Sequence, residues 1–261
     1  MQPTGSVPSW LARLLALGGL LFFLDSLLYF AYRYVVVFGR EVGGPAGPRA
    51  IAADVTLFSL FALHHSLFAR DAFRQWFARM FGALERSCYV WIASALFIAV
   101  CALWRPVTGV AWRVDARGLR WLIAAVQVAG VWLSLRSASL IDIRELSGLT
   151  QLDAASIGGP DKARPAAGPQ TDVGRALSGP QPEFMTRGPY GWVRHPIYSG
   201  WFLIVFAVPV MTMTRLVFAM TSSIYLLIAI PFEERSLRRS SAGAYDRYMR
   251  QVPWKLVPRL F

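Results

Sequence analysis

Apolar residues fall in six blocks along the chain, at 10–38, 51–68, 89–104, 119–141, 198–211 and 216–232. The longer blocks approach or exceed the roughly 20 residues that a helix needs to cross a bilayer. "REVGGPAGPRA" breaks the chain between the first two blocks with Gly and Pro. Only "MTMT" separates the last two, so they are expected to form a tight antiparallel hairpin, with both arms short and partly sunk in the protein. The pattern predicts an all-α fold: a polytopic helical membrane protein with five to six membrane segments. The chain reads as a single domain over 1–261. Residues 151–185, rich in Pro, Gly and Ala and without periodicity, are expected to be a flexible insertion, more a passive linker than a lid.

Composition agrees with the pattern: 55% of the 261 residues are hydrophobic and 14% aromatic. A net charge of +12 would suggest nucleic acid in a soluble protein. In a membrane protein, loop arginines set the topology and meet anionic headgroups, so no nucleic-acid partner is expected. Eighteen basic residues fall on the side holding the N-terminus, the 69–87 loop, the 142–196 loop and the tail, against seven on the other. That bias places both termini in the cytoplasm and suggests a bacterial inner membrane. The first block contains Asp25 and is too long for a signal-peptide core, so it is expected to be an uncleaved span. Asp25 and Asp54 are read as paired or interfacial. The two cysteines, Cys88 and Cys101, have no metal-ligand spacing and are expected to be packing residues.

Candidate chemistry begins at "GPYGWVRHPIYSGW", residues 188–201. Pro196 suits the first turn of a helix, which puts Arg194 and His195 at the N-terminus of the fifth segment. Unsatisfied backbone N–H groups and the positive dipole end gather there. Folding the hairpin about 212/213 brings Arg194 opposite Pro231 and His195 opposite Ile230. Glu233 and Glu234, in "PFEERSLRR", are then within one helical turn. Carboxylates at the C-terminus of a helix oppose its dipole. Salt bridges to Arg194, Arg235 or Arg238 would explain them, and so would a ligand with both positive and negative parts. Tyr245 and Tyr248 share one face of a short tail helix. An aromatic belt at the membrane interface is the simpler expectation for them; a pocket wall for a ring or sulfonium is the other.

These parts, in this order, resemble the signature of integral-membrane methyltransferases, a superfamily that includes isoprenylcysteine carboxyl and phospholipid N-methyltransferases. The resemblance implies S-adenosylmethionine in a cytosol-facing pocket. The motif positions are Tyr190, Arg194, His195, Pro196, Tyr198, Gly200, Glu233 and Glu234, with Tyr245 and Tyr248 beside them. "LHHSLFARDAFRQWFARM", "ERSCYVWIASALF" and "VPWKLVP" resemble the NnrU-like branch, which includes methanethiol S-methyltransferases that make dimethyl sulfide. The chain departs from that branch in the 151–185 insertion and in "IDIREL".

The expected acceptor is a small apolar thiol, which must lose its proton because the thiolate is the nucleophile. His65 is the candidate base, at the "HS" position of the branch; a hydrogen-bonded helix contact is its plainer role. Glu85 and Arg86 are further candidates, although a plain ion pair of Glu85 with Arg86 or Arg70 is the simpler expectation. An isoprenylcysteine carboxylate or a lipid amine is an alternative acceptor, and a non-enzymatic NnrU-like accessory protein an alternative function. Ile197 stands where membrane sterol-type reductases generally carry Asn, which counts against that class. The oligomeric state is left open.

Overall fold

The computed structural model describes residues 9–44, 47–68, 71–140, 186–241 and 243–261. The proposed insertion at 151–185 lies outside them, as does the "IDIREL" stretch. Among the described residues, five helical stretches are long and apolar enough to cross a membrane: Trp10–Val37, Pro48–Phe68, Glu85–Leu103, Arg117–Ala138 and Met213–Arg239. The chain is an integral membrane protein.

Helix α1 (Ser9–Tyr32) runs into a π-helical turn, Arg33–Val37. The last carbonyls of such a segment lack helical partners. Arg215 supplies them, donating to Tyr34 O at 3.0 Å and Val35 O at 2.8 Å. Helix α2 (Pro48–Phe68) returns across the bundle. Helix α3 (Asp71–Phe81) was not expected in the 69–87 loop. It is amphipathic: Phe77 is buried against Phe68, while Trp76 and Met80 stay exposed as in an interfacial helix. Helices α4 (Glu85–Leu103) and α5 (Arg117–Ala138) complete the first four crossings.

The C-terminal hairpin is asymmetric. Helix α6 covers only Pro196–Phe206, and α7 runs over Met213–Ser240. Between them the chain is extended, because Pro209 has no N–H to continue a helix. Val210–Thr212 (β2) pairs antiparallel with Val110–Arg113 (β1), in register Val110↔Thr212 and Arg113↔Val210 with a bulge at Ala111. This ribbon is the strand content of an otherwise helical structure among the described residues. Thr212 ends the ribbon and caps α7, accepting from Arg215 N at 3.2 Å. Helix α8 (Ala244–Gln251) follows Gly243, whose φ of 82° lies in the left-handed region that glycine enters without strain.

The core centres on Phe218, which is fully buried. Rings of Phe30, Tyr34, Phe38, Phe58, Trp104 and Trp201 surround it at centroid distances of 5.0–6.2 Å. Asp54 is also buried there and accepts from Arg105 N at 2.8 Å.

Helix α6 is seated against α5 through small residues. A Cβ at Gly200 would lie 2.2 Å from Ser134 Oγ and 2.6 Å from Gly130 O. A Cβ at Gly130 would lie 2.6 Å from the Leu203 Cβ. Such close approach is how membrane helices gain packing without a hydrophobic driving force. Gly200, expected from the motif at the cofactor, therefore sits on the α5-facing side of α6. We expect Gly200→Ala to lower stability by about 1–3 kcal/mol, the range for overpacking a tight contact. An unshifted midpoint of thermal unfolding in detergent would show that α5 and α6 can separate at no cost.

Candidate functional site

Pro196 opens α6, and His195 is its N-cap. The backbone N–H groups beside it are engaged by the tail: Arg194 N donates to Trp254 O and His195 N to Lys255 O, each at 2.9 Å. The tail thus pairs with the backbone that leads into α6. Ser199 Oγ adds a bond to Leu256 O at 2.6 Å.

The Arg194 side chain is buried and joins three elements. Its Nε donates to Glu234 Oε1 at 2.7 Å, and its Nη1 donates to Val252 O at 3.0 Å and Pro253 O at 2.6 Å. His195 Nε2 lies 3.2 Å from the same Glu234 oxygen, and its Nδ1 lies 3.7 Å from Glu233 Oε2. Tyr198, one turn along α6, donates its hydroxyl to Glu233 Oε2 at 2.8 Å and stacks on His195 at 5.4 Å. The two carboxylates are not at a helix C-terminus, as the apolar pattern suggested. Helix α7 continues through Pro231 to Ser240, so Glu233 and Glu234 lie inside it, clear of its negative dipole end. Arg194 and His195 meet α7 about one turn farther along, at Glu234, than the folded hairpin implied. Extended residues rise about 3.3 Å each against 1.5 Å in a helix, so the extended link lengthens the α6 arm.

Tyr190 and Tyr248 close the site from below. Tyr248 donates to Tyr190 O at 2.8 Å, and its ring lies 5.6 Å from that of Tyr245. Both α8 tyrosines are buried with Leu237 and Val252, which overturns the interfacial-belt expectation for them. Burial raises the Tyr245 phenol, and the charges of Glu234 and then Glu233 raise it further. Burial likewise raises Tyr190, with Glu233 adding to it, and burial raises Tyr248. All three hydroxyls therefore stay protonated as donors at neutral pH. The Tyr190 and Tyr245 hydroxyls are buried with no hydrogen-bond partner among the described residues. A cavity of about 20 Å³ is lined by Tyr190, Arg194, His195, Pro196, Ile197, Tyr198 and Glu233.

The isoprenylcysteine carboxyl methyltransferase family model matches residues 174–239, which hold this cluster up to α8. Methanethiol S-methyltransferase 2 of Bradyrhizobium diazoefficiens is 35% identical over 244 residues, 92% of this chain and 86% of its own length. The methanethiol S-methyltransferase of Pseudomonas deceptionensis is 35% identical over 83% of this chain and 76% of its own. The chain belongs to this family of membrane methyltransferases. Nurim of Mus musculus is more distant, 29% identical over 72% of this chain and 68% of its own length. No solved structure matches the chain.

The remaining candidates of this methyltransferase lie on α2 and at the start of α4. His65 Nδ1 is 2.6 Å from the Tyr89 hydroxyl, and Arg86 lies over the Tyr89 ring at 5.1 Å. Ser66 Oγ lies 3.4 Å from the Tyr225 hydroxyl on α7. Tyr225 precedes Glu233 by eight residues, about 12 Å along the helix, toward the bundle interior. Glu85 starts α4, where its carboxylate complements the dipole. Tyr89 and Tyr225 were missed in the sequence because tyrosines in apolar blocks carry no spacing signal. The structure thus joins Arg194, His195, Tyr198, Glu233 and Glu234 in one cluster, and His65 with Tyr89 and Arg86 in another.

Removing one partner of a buried ion pair strands the other charge. We expect Glu234→Ala to cost about 3 kcal/mol, and Glu234→Gln less because its amide oxygen still accepts from Arg194. Equal unfolding midpoints for Glu234→Ala and the unsubstituted protein would contradict this role.

Proposed function

We propose that the methyltransferase uses S-adenosylmethionine to S-methylate a small apolar thiol, methanethiol, giving dimethyl sulfide. The acceptor is the one named for relatives sharing about a third of their residues with this chain over most of its length. The observation that carries the cofactor assignment is the pair of buried phenol donors beside two buried carboxylates. Glu233 and Glu234 suit an ammonium and a sulfonium. The Tyr190 and Tyr245 hydroxyls, still able to donate, suit a carboxylate. The 20 Å³ cavity holds only a water-sized group, so a molecule of this size extends beyond it. The cluster belongs to the Arg-rich side of the bundle, which by the charge bias is the cytoplasmic side of a bacterial inner membrane, with both termini there.

S-adenosylmethionine supplies a methyl group on a positively charged sulfur. The residues do the positioning, which is most of the work in an in-line displacement. Arg194 holds Glu234 and the tail in place, and Tyr198 holds Glu233. The thiol attacks as thiolate. With its Nδ1–H donating to the Tyr89 oxygen, His65 takes the thiol proton at Nε2. It is exposed on α2, one turn before the end of that span, which suits an apolar acceptor arriving from the bilayer.

Two experiments bear on this. Tyr245→Phe and Tyr190→Phe remove hydroxyls that have no partner among the described residues, so stability should hold while S-adenosylmethionine affinity falls about fivefold or more. Calorimetric affinities equal to those of the unsubstituted protein would remove these hydroxyls from the cofactor site. His65→Ala, assayed with labelled S-adenosylmethionine and methanethiol, should slow release of volatile product about 100-fold with cofactor affinity kept. Normal turnover at neutral pH would exclude His65 as the base.

A further inference from the structure

Asp25 lies near the midpoint of the first span, Trp10–Val37, within about 2 Å along the axis. Ala12, Ala16, Ser26, Phe30 and Tyr34 form the buried side of that helix. Asp25 points the other way, and it is exposed. Among the described residues it has no ion-pair or hydrogen-bond partner. A carboxyl facing hydrocarbon at mid-depth is costly, and the expectation that Asp25 is paired or at the membrane interface is met neither by a partner among the described residues nor by its place in the span.

The residues around it form a heptad seam. Leu14, Leu21, Leu28 and Val35 recur every seven positions and are 56, 67, 71 and 57% exposed. Leu11, Asp25 and Tyr32 occupy the alternate positions of the same repeat, with Gly18 between them against Trp91. A large apolar residue at every d-type position, three of the four leucine, with one charged residue at an a-type position is a pattern that pairs two parallel helices and sets their register. In such a pair, a-type residues face their own counterparts.

We propose that two copies of this chain pair in parallel along the outer face of α1, with Asp25 of each copy against Asp25 of the other. A second copy inserted the same way presents its carboxyl at the same depth, which no partner of arbitrary topology does. The two carboxyls hydrogen-bond to each other, and the flanking leucines shield them from lipid. None of the residues of the methyl-transfer cluster belongs to this face of α1, so pairing leaves the cluster open.

The test uses full-length chains carrying donor or acceptor labels at the C-terminus, reconstituted in phosphatidylcholine vesicles at increasing lipid-to-protein ratio. Energy transfer between copies should persist on dilution. Asp25→Leu, which favours insertion, should need roughly threefold to tenfold higher protein density to associate. Asp25→Asn should retain most of the association through its amide. Oxidation should link Leu28→Cys chains into dimers, and should not link unsubstituted chains or Leu122→Cys on the exposed face of α5. Monomers at every density would mean that lipid alone covers this face. Undiminished pairing of Asp25→Leu, or equal crosslinking at Leu122→Cys, would place the contact elsewhere. Each of these results overturns the proposal.

Discussion

The buried guanidinium of Arg194 holds the C-terminal half together. Four of its contacts tie α6 to α7 and to the tail: Glu234 through Nε, Val252 and Pro253 through Nη1, and Trp254 through its own backbone N–H. A buried charge is tolerated only when its donors are satisfied. The path of the tail is therefore set by the need to bring carbonyls to Arg194. Lysine, with a single ammonium on a flexible stem, could not occupy the same fork. Once the tail is placed, α8 follows, and with it Tyr245 and Tyr248.

The opposite face of the bundle solves a similar problem with another arginine. Arg215, counted among the loop residues by sequence, is buried at the first turn of α7 and takes up carbonyls released where α1 loosens into a π-helical turn. A buried arginine thus serves backbone carbonyls near either half of α7: Arg215 in its own first turn, and Arg194 from the segment before α6 against Glu234. Between them the helix is apolar and packs Phe218 into a ring of aromatic side chains. This gives α7 a fixed depth and rotation, and so decides what Glu233 and Glu234 face. The site is positioned by a rigid helix rather than by a loop, which suits chemistry that depends on alignment.

Deeper in the bundle, charge gives way to single hydroxyls and rings. The order along α7, from Glu233 to Tyr225 and across to Ser66 on α2, runs from a polar face into an apolar interior. A charged methyl donor and an apolar acceptor would approach from opposite ends of that gradient. His65, next to Ser66 on α2, is exposed at the side of the bundle, bonded to Tyr89, whose ring Arg86 covers.

Much of this was legible in the chain. The long apolar blocks identified the spans, because the hydrocarbon core sets their length. The motif near Pro196 and the acidic pair pointed to one another, because a short hairpin leaves few ways to fold. Distance along the chain could not say that six residues before α7 are extended, which shifted the contacts by a turn. Nor could it say that α7 passes through Pro231 unbroken, or that Gly200 serves α5. The two α8 tyrosines carried the same ambiguity: spacing put them on one face, and only the tail pinned by Arg194 decided that the face is buried. Sequence alone determined which segments enter the membrane and which residues carry charge, since both follow from composition within one segment. Tertiary structure decided which charges meet, since that depends on the rise, rotation and depth of segments far apart in the chain.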